Sequence, residues 1–373
     1  MILQSLPPTG NLISSKRSKA PLDDLLPGYN LVWLNSGTAA LAFSLEQLKR
    51  RHPEVTQPEV IIPGYCCPDL LSAAIFAGFT PKIVDICQND PSYDLLQLES
   101  AITANTLAVI AINFLGIAER LAEIRQIITV WPKVALIEDN AQWFPDADEV
   151  EKVEGDYVTF SFGRGKAVSL LGGGLVAVKE GVELFDLQLP TEIFSSTWFL
   201  KVKLLSFLTQ PWVYYWVEKL TFLKLGATFY HPLQSISLMS PDRMHLVLAN
   251  IARYRSLSRY AERRLSYLIS ADLNGLNPLL ASDRRRRLLR FPVLLTDSDR
   301  RSGLLACSRV QTLGLSRLYD NALPQVQGVN DLPIEIPSLP NAYSFANRLI
   351  TFPTHHRVKP HQVSRMVTLV TQI

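Results

Sequence analysis

Between about Leu31 and Val178 the chain alternates short apolar, β-rich runs with stretches of helical spacing, an order that few folds accept. The runs are Val60-Ile61-Ile62, Lys82-Ile83-Val84, Leu107 to Ile112, Val134 to Ile137 and Tyr157 to Phe160. Between them lie the helical patterns Thr38 to Leu48, Asp69 to Ala77 and Ile117 to Ile128. Strand–helix–strand alternation predicts an α/β fold with a mainly parallel sheet and helices on both faces. Ligands of such sheets collect beyond the carboxyl ends of the strands. Residues that follow each run are therefore the first candidates for chemistry. The 373 residues are 47% hydrophobic and 19% charged, enough to close a large core. A net charge of +3 gives no broad basic field for nucleic acid. Cys66, Cys67, Cys87 and Cys307 form no CxxC pair, so neither a disulfide framework nor a thiolate zinc site is expected, and a reducing cytoplasm is the expected setting. The segment Met1 to Lys19 lacks the continuous apolar run of a secretion signal. The most apolar stretch, Lys203 to Glu218, is broken by Gln210-Pro211 and falls short of the roughly 20 residues of a membrane span.

The second half reads differently. From about Gly181 to Leu238 it is crowded with aromatics, among them Trp198, Phe199, Trp212, Tyr214, Tyr215, Trp216, Phe222 and Phe229. A long helical pattern runs from about Pro241 to Ile269. After Asn274-Gly275 come strand-like runs (Leu288 to Leu295, Pro333 to Ile336) and helical ones (Arg300 to Thr312, Pro360 to Thr371). The expected organisation is a large domain over residues 1–240, with an aromatic-rich insertion at about 181–238. Residues 241–373 are expected to form a connecting helix and a smaller α+β domain.

Four clusters fall after strands in the first half. Ser36-Gly37-Thr38-Ala39 opens a helix, and such a turn offers N–H groups and hydroxyls to a phosphate, or is an ordinary N-cap. Glu138-Asp139-Asn140-Ala141-Gln142 follows a buried run; an acid there needs a cation, or else caps the next segment. Ser161-Phe162-Gly163-Arg164-Gly165-Lys166 and then Gly172-Gly173-Gly174 complete the set. A lone loop lysine is usually solvated. The combination is more telling, because pyridoxal phosphate requires a lysine for its aldehyde, an acid facing its ring nitrogen and donors for its phosphate.

These stretches resemble the DegT/DnrJ/StrS sugar aminotransferases, pyridoxal-phosphate enzymes of fold type I. The resemblance is carried by SGTAAL (Ser36 to Leu41), VIIPGYCCPDLLSAAIFAGFTPKIVDI (Val60 to Ile86), ALIEDNAQ (Ala135 to Gln142), GDYVTFSFGRGK (Gly155 to Lys166) with its following glycines, and LITFPTHHRV (Leu349 to Val358). It implies that Lys166 condenses with the cofactor aldehyde and then carries protons. It further implies that Asp139 pairs with the ring nitrogen, Gln142 meets the ring's 3-oxygen, and Gly37, Thr38, Ala39 and Ser161 hold the phosphate. The sequence departs from the family pattern in three places. The Pro-x-x-Thr-aromatic stretch reads Pro63-Gly64-Tyr65-Cys66-Cys67, which makes Tyr65 the candidate to stack on the ring. The Asn-x-Arg-Met element reads Pro241-Asp242-Arg243-Met244, without the Asn that reaches the partner subunit's phosphate. The aromatic stretch is longer than the family needs.

That stretch reads first as a subunit-interface or lid insertion, next as ordinary packing, and third as a peripheral membrane contact through residues 198–224, where Lys201, Lys203, Lys219 and Lys224 accompany the aromatics. Arg284-Arg285-Arg286-Arg287 reads as a solvated turn, with a nucleotide diphosphate as a further partner for some of the four. Arg243 and His355 are candidate substrate contacts. Adjacent histidines such as His355 and His356 point apart on an extended chain, so no metal site is expected. The resemblance implies a cytoplasmic homodimer that moves an amino group from glutamate, or a similar donor, to a ketone on a nucleotide-linked sugar. Surface polysaccharide or secondary-metabolite biosynthesis is the implied setting. The rivals are a lyase or dehydratase on the same pocket, in which the family tends to replace the lysine by His, and a regulatory or scaffolding protein without turnover.

Overall fold

A computed structural model describes residues 4–220, 226–269, 276–307 and 312–371, so Phe222, Lys224 and Asn274-Gly275 lie outside the described residues. Seven strands form the main sheet: β1 (Tyr29–Leu34), β2 (Glu59–Pro63), β3 (Thr80–Val84), β4 (Thr106–Ile112), β5 (Ala135–Asp139), β6 (Tyr157–Ser161) and β7 (Gly174–Lys179). Their order is β1-β7-β6-β5-β4-β2-β3. The neighbours β3, β2, β4, β5 and β6 are parallel, while β7 runs antiparallel to both β6 and β1. All five predicted runs are strands. Their near-continuous burial is what a parallel sheet covered on both faces demands. The antiparallel end arises because the chain leaves β6 through a glycine-rich loop and returns as β7, without the crossover helix that parallel pairing needs.

The covering helices of this half are α1 (Gly37–Arg51), α2 (Asp69–Phe76), α3 (Leu95–Ala101) and α4 (Leu121–Ile128). Buried Ala39, Ala40 and Ala42 let α1 lie close to the sheet. The predicted helix from Ile117 begins only at Leu121, because Ile117 is held in extended bridges to Phe114 and Arg285.

Among the described residues of the aromatic stretch, two short helices form, α5 (Trp198–Leu208) and α6 (Pro211–Val217). The long helical pattern is broken into α7 (Pro241–Met244), α8 (Val247–Ser256) and α9 (Tyr260–Leu268). Serines account for the last break: the Ser256 hydroxyl donates to the Arg253 carbonyl at 2.7 Å, and the Ser258 hydroxyl accepts the Tyr260 N–H at 3.2 Å. Such local bonds compete with the helical ladder. The chain continues through α10 (Asn277–Ala281), β8 (Arg290–Leu294), α11 (Ser298–Ala306), α12 (Pro340–Arg348), β9 (Leu349–Pro353) and α13 (Pro360–Thr371). Strands β8 and β9 pair antiparallel in a small, fully buried sheet. The run Pro333 to Ile336 is not a strand; prolines at 333 and 337 bracket it and remove ladder donors. The partner of β8 is instead β9, inside the stretch Leu349 to Val358. The N-terminal segment crosses to this second half, where the Leu6 N–H donates to the Thr312 carbonyl at 3.0 Å.

Residues Arg284 to Arg287 are not a solvated turn. Arg284 meets Asp90 at 2.9 Å, Arg285 meets Glu262 at 3.4 Å, Arg286 meets the fully buried Glu138 at 3.6 Å and Arg287 meets Asp146 at 3.4 Å. Arg286 and Arg287 also lie 4.1 Å above the rings of Trp143 and Tyr254. The run is a clamp between the halves, since its counterions come from four distant segments.

Candidate active site

Of the predicted site residues, Gly37, Thr38, Asp139, Gln142, Ser161 and Lys166 come together near the carboxyl ends of β4, β5 and β6. Asp139 ends β5 and sits in register with Ile112 of β4 and Thr159 of β6. It is buried, and its Oδ1 accepts the Ala141 N–H at 2.9 Å and the Thr159 hydroxyl at 3.4 Å. Burial raises the pKa of this carboxyl, and the Ala141 N–H and the Lys166 ammonium oppose that rise. Lys166 and Asp139 line one cavity of about 420 Å³, together with Gly37, Thr38, Cys67, Asp69, Leu70, Gln142, Ser161 and Tyr319. Gly37 is required here by close approach: a Cβ would lie 2.5 Å from the Ser161 Cβ. Gly174 is required for the same reason, with a Cβ only 2.2 Å from the Ser36 carbonyl oxygen.

Several assignments need correction. Tyr65 does not line this cavity. It is buried, its ring lies against Phe114, Tyr319 and Phe345, and its hydroxyl donates to the Tyr319 carbonyl at 3.1 Å. Cys67, two residues on, takes the cavity wall, and burial pushes its thiol up to about 12, so it is a neutral thiol. Ala39 is fully buried and its N–H already donates to the Ser36 hydroxyl at 3.0 Å, which makes Ser36 the N-cap of α1. The donors left on α1 for an anion are the first-turn N–H groups of Gly37 and Thr38, with the Thr38 hydroxyl. Gln142 lines the cavity, but its Oε1 accepts the Leu115 N–H and its Nε2 donates to the Tyr319 hydroxyl, both at 2.7 Å. Arg243 lines neither this cavity nor its larger neighbour. It is buried against Glu192 at 2.7 Å and donates to the Leu170 carbonyl at 3.0 Å.

Lys166 also belongs to the wall of a second cavity, about 870 Å³, formed by residues 8–13, the ends of α5 and α8, and Thr354 to Arg357. Its cationic lining comprises Arg164, Arg259, Arg287 and Arg357 against one acid, Glu262, which pairs with Arg259 at 2.7 Å. Arg287 has Asp146. Among the described residues Arg164 and Arg357 have no carboxylate partner. Arg357 donates to the Thr209 and Ser206 carbonyls, and burial lowers its pKa, as befits a cation short of an anion.

His355 lines this cavity, yet both ring nitrogens are engaged. Nε2 donates to the Pro7 carbonyl at 2.9 Å and Nδ1 accepts the Arg357 N–H at 3.3 Å. Burial lowers its pKa from 6.5 to about 3. Between those values the unfolded chain binds a proton that the folded chain refuses, so stability falls as pH drops below 6.5. We expect urea midpoints to show a loss of about 2 kcal/mol between about pH 7 and about pH 5 from this group. His355→Asn should remove that increment from the pH dependence.

Cys67, Asp69, Leu70 and Tyr319 line the cavity without having been expected from the sequence. Cys67 could have been found, since it occupies the aromatic position of the Pro-x-x-Thr-aromatic stretch. Tyr319 arrives by tertiary packing from the second half and carries no local signal. Among the described residues no three His, Cys, Asp or Glu side chains group as metal ligands, and no helix is long and apolar enough to cross a membrane.

The mostly parallel sheet with its glycine-rich antiparallel return, and Lys166 and Asp139 beside one cavity at its carboxyl edge, have the fold of type I shared with the solved structures below. Residues 24–185 match the model of the DegT/DnrJ/EryC1/StrS aminotransferase family. The matched segment contains every residue of the smaller cavity except Tyr319. Among solved structures, the chain is similar to Spr1654 of Streptococcus pneumoniae in its PMP form, described as a sugar aminotransferase. That likeness has a TM-score of 0.69 and 19% identity, over 96% of this chain and 93% of that one. It is also similar to Helicobacter pylori PseC, an aminotransferase involved in the biosynthesis of pseudoaminic acid (TM-score 0.68, 18% identity, 96% and 92% covered). A third is the E. coli GDP-4-keto-6-deoxy-D-mannose-3-dehydratase with bound hydrated PLP (TM-score 0.67, 13% identity, 94% and 89% covered).

Proposed function

We propose that this chain transfers an amino group from glutamate, or a similar donor, to a ketone on a nucleotide-linked sugar, using pyridoxal phosphate. The observation that carries the reading is the position of Lys166, shared by a small cavity with a strand-end carboxylate and a large cavity with two guanidinium groups that lack carboxylate partners among the described residues. The donor set of the small cavity fits the cofactor. Gly37, Thr38 and Ser161 offer hydrogen bonds to a phosphate at the start of α1, and Asp139 offers a dry carboxylate to a ring N–H. Bound there, pyridoxal phosphate supplies an aldehyde for the amino group and a ring that accepts electrons. Asp139 would hold the ring nitrogen protonated and Lys166 would move protons at the reacting carbon. Tyr319, bonded to Gln142, contributes a wall of the pocket from the second half.

In the larger cavity Arg164 and Arg357 suit the diphosphate of a nucleotide sugar, since guanidinium–phosphate hydrogen bonds are both strong and directional. On this reading the enzyme is a cytoplasmic homodimer with a role in surface polysaccharide or secondary-metabolite biosynthesis. A dehydratase is less favoured, because the resemblance implies His where this chain has Lys166.

The test is spectroscopic. Holoenzyme mixed with glutamate should lose its yellow absorbance and release 2-oxoglutarate in equal amount. A coloured protein unmoved by every amino donor would remove the transfer reading. Arg357→Ala should raise the KM for the sugar nucleotide by about tenfold or more, with the glutamate half-reaction unchanged.

A further inference from the structure

We propose that α5 and α6 form a docking face for an anionic phospholipid bilayer, set beside the mouth of the larger cavity. Helix α5 is attached by one side only. Trp198 and Val202 are buried, and the Trp198 indole N–H donates to the Leu170 carbonyl at 2.8 Å. On the opposite side Leu200, Lys203, Leu204 and Phe207 follow the i, i+3, i+4, i+7 spacing of one helix face, and all four are exposed. The apolar members are 67%, 53% and 51% exposed at Leu200, Leu204 and Phe207. Helix α6 buries no residue, and Trp212 and Trp216, one turn apart, are 51% and 60% exposed. The two faces are continuous, since the rings of Phe207 and Trp212 meet edge to face with centroids 5.7 Å apart. The patch therefore holds three aromatic rings and two leucines turned to water, an arrangement that calls for an occupant.

Charge decides which occupant. From Ile193 to Pro241 the sequence contains a single acid, Glu218, against Lys201, Lys203, Lys219 and Lys224. Glu218 is turned inward, where it accepts the Ser5 hydroxyl. Lys201, Lys203 and Lys219 are exposed, and among the described residues none has a carboxylate partner. Lys219 lies 4.0 Å over the Tyr215 ring and donates to its hydroxyl at 2.7 Å. Exposed Trp beside Lys, with long aliphatic stems that reach toward headgroups, is the composition of a bilayer boundary. A second copy is a poorer occupant. A two-fold contact joins a patch to itself and would press like-charged lysines together without acids to offset them.

The consequence is positional. The inward side of the same turn, Leu205, Ser206 and Thr209, lines the larger cavity. A docked α5–α6 pair would hold that cavity within a helix diameter of the headgroups.

Flotation of the full-length holoenzyme with vesicles tests this. We expect the protein to float with phosphatidylcholine–phosphatidylglycerol vesicles, not with phosphatidylcholine alone, and the emission of Trp212 and Trp216 to shift to the blue. Lys201→Glu with Lys203→Glu should weaken partitioning by about tenfold or more, and Phe207→Ser with Trp216→Ser should abolish it. These side chains are exposed, so circular dichroism and melting should match the parent chain, which separates lost docking from lost folding. Failure to float on anionic vesicles at physiological salt overturns the proposal. So does a sedimentation experiment in which the same variants convert a dimer to monomers, because the face would then belong to a second copy. Neither result bears on amino transfer.

Discussion

Lys166→Ala should leave a folded protein that has lost both its covalent hold on pyridoxal phosphate and its turnover. Borohydride reduction of the parent holoenzyme should fix a pyridoxyl mass on the peptide containing Lys166, and the variant should show none. Amino transfer should fall by about three orders of magnitude or more, the range of a positioned proton-transfer group at the top of its scale. Folding should survive because Lys166 is held through its backbone N–H, which donates to the Gly163 carbonyl at 3.4 Å, and that bond survives the substitution. Among the described residues its ammonium donates no hydrogen bond, so truncation of the side chain breaks none, although it takes a nearby positive charge from the buried Asp139. Cofactor affinity should drop without vanishing, since Gly37, Thr38 and Ser161 still face the phosphate. An added small amine offers a second readout: partial rescue would assign the lost function to a missing base. A variant that retained the borohydride adduct would show that another lysine holds the cofactor, and the role given to the small cavity would fail.

How far the sequence foretold this site follows from the range of each interaction. The strands β2 to β6 were legible because burial on both faces writes itself as uninterrupted apolar runs. Asp139, Ser161 and Lys166 were legible because they follow those runs directly, and strand ends of a parallel sheet converge without further information. Ser36 was legible as a cap, yet its capping bond to the Ala39 N–H is what takes Ala39 out of the phosphate set. Tyr65 failed on a point of local geometry: the turn after β2 points its ring into the core formed with Phe114 and Phe345, leaving Cys67 at the cavity. The arginine run failed for the opposite reason. Nothing near positions 284–287 indicates that Asp90, Glu138, Asp146 and Glu262 will surround it, because those partners come from across the fold. Tyr319 belongs to the same class. Long-range counterions and lids are tertiary facts, whereas strand-end acids are almost secondary ones.

Asp139→Asn should move activity and stability in opposite directions. Turnover should fall by about two orders of magnitude or more, since an amide cannot hold the ring nitrogen protonated and that charge is the electron sink. The cofactor-free protein, by contrast, should become more stable. The Asp139 carboxyl titrates above its ordinary 3.8 in the folded chain, chiefly through burial. Between the unfolded and folded values the native state binds more protons than the unfolded one, so stability declines as pH rises through that window and stays lowered above it. Asn carries no charge and escapes the penalty. At neutral pH the cofactor-free variant should exceed the parent by about 1 kcal/mol or more, the ordinary scale for relieving a buried polar group that lacks a full set of partners. The gap should close as pH falls below about 4. Loading the cofactor should reverse the order, because the ring N–H then partners the carboxylate in the parent alone. Thermal melts of both proteins, with and without pyridoxal phosphate, read all four states. If the cofactor-free variant proved less stable at neutral pH, Asp139 would be a structural hydrogen-bond acceptor for Ala141 and Thr159. The buried charge would then not be strain held in reserve for a ligand.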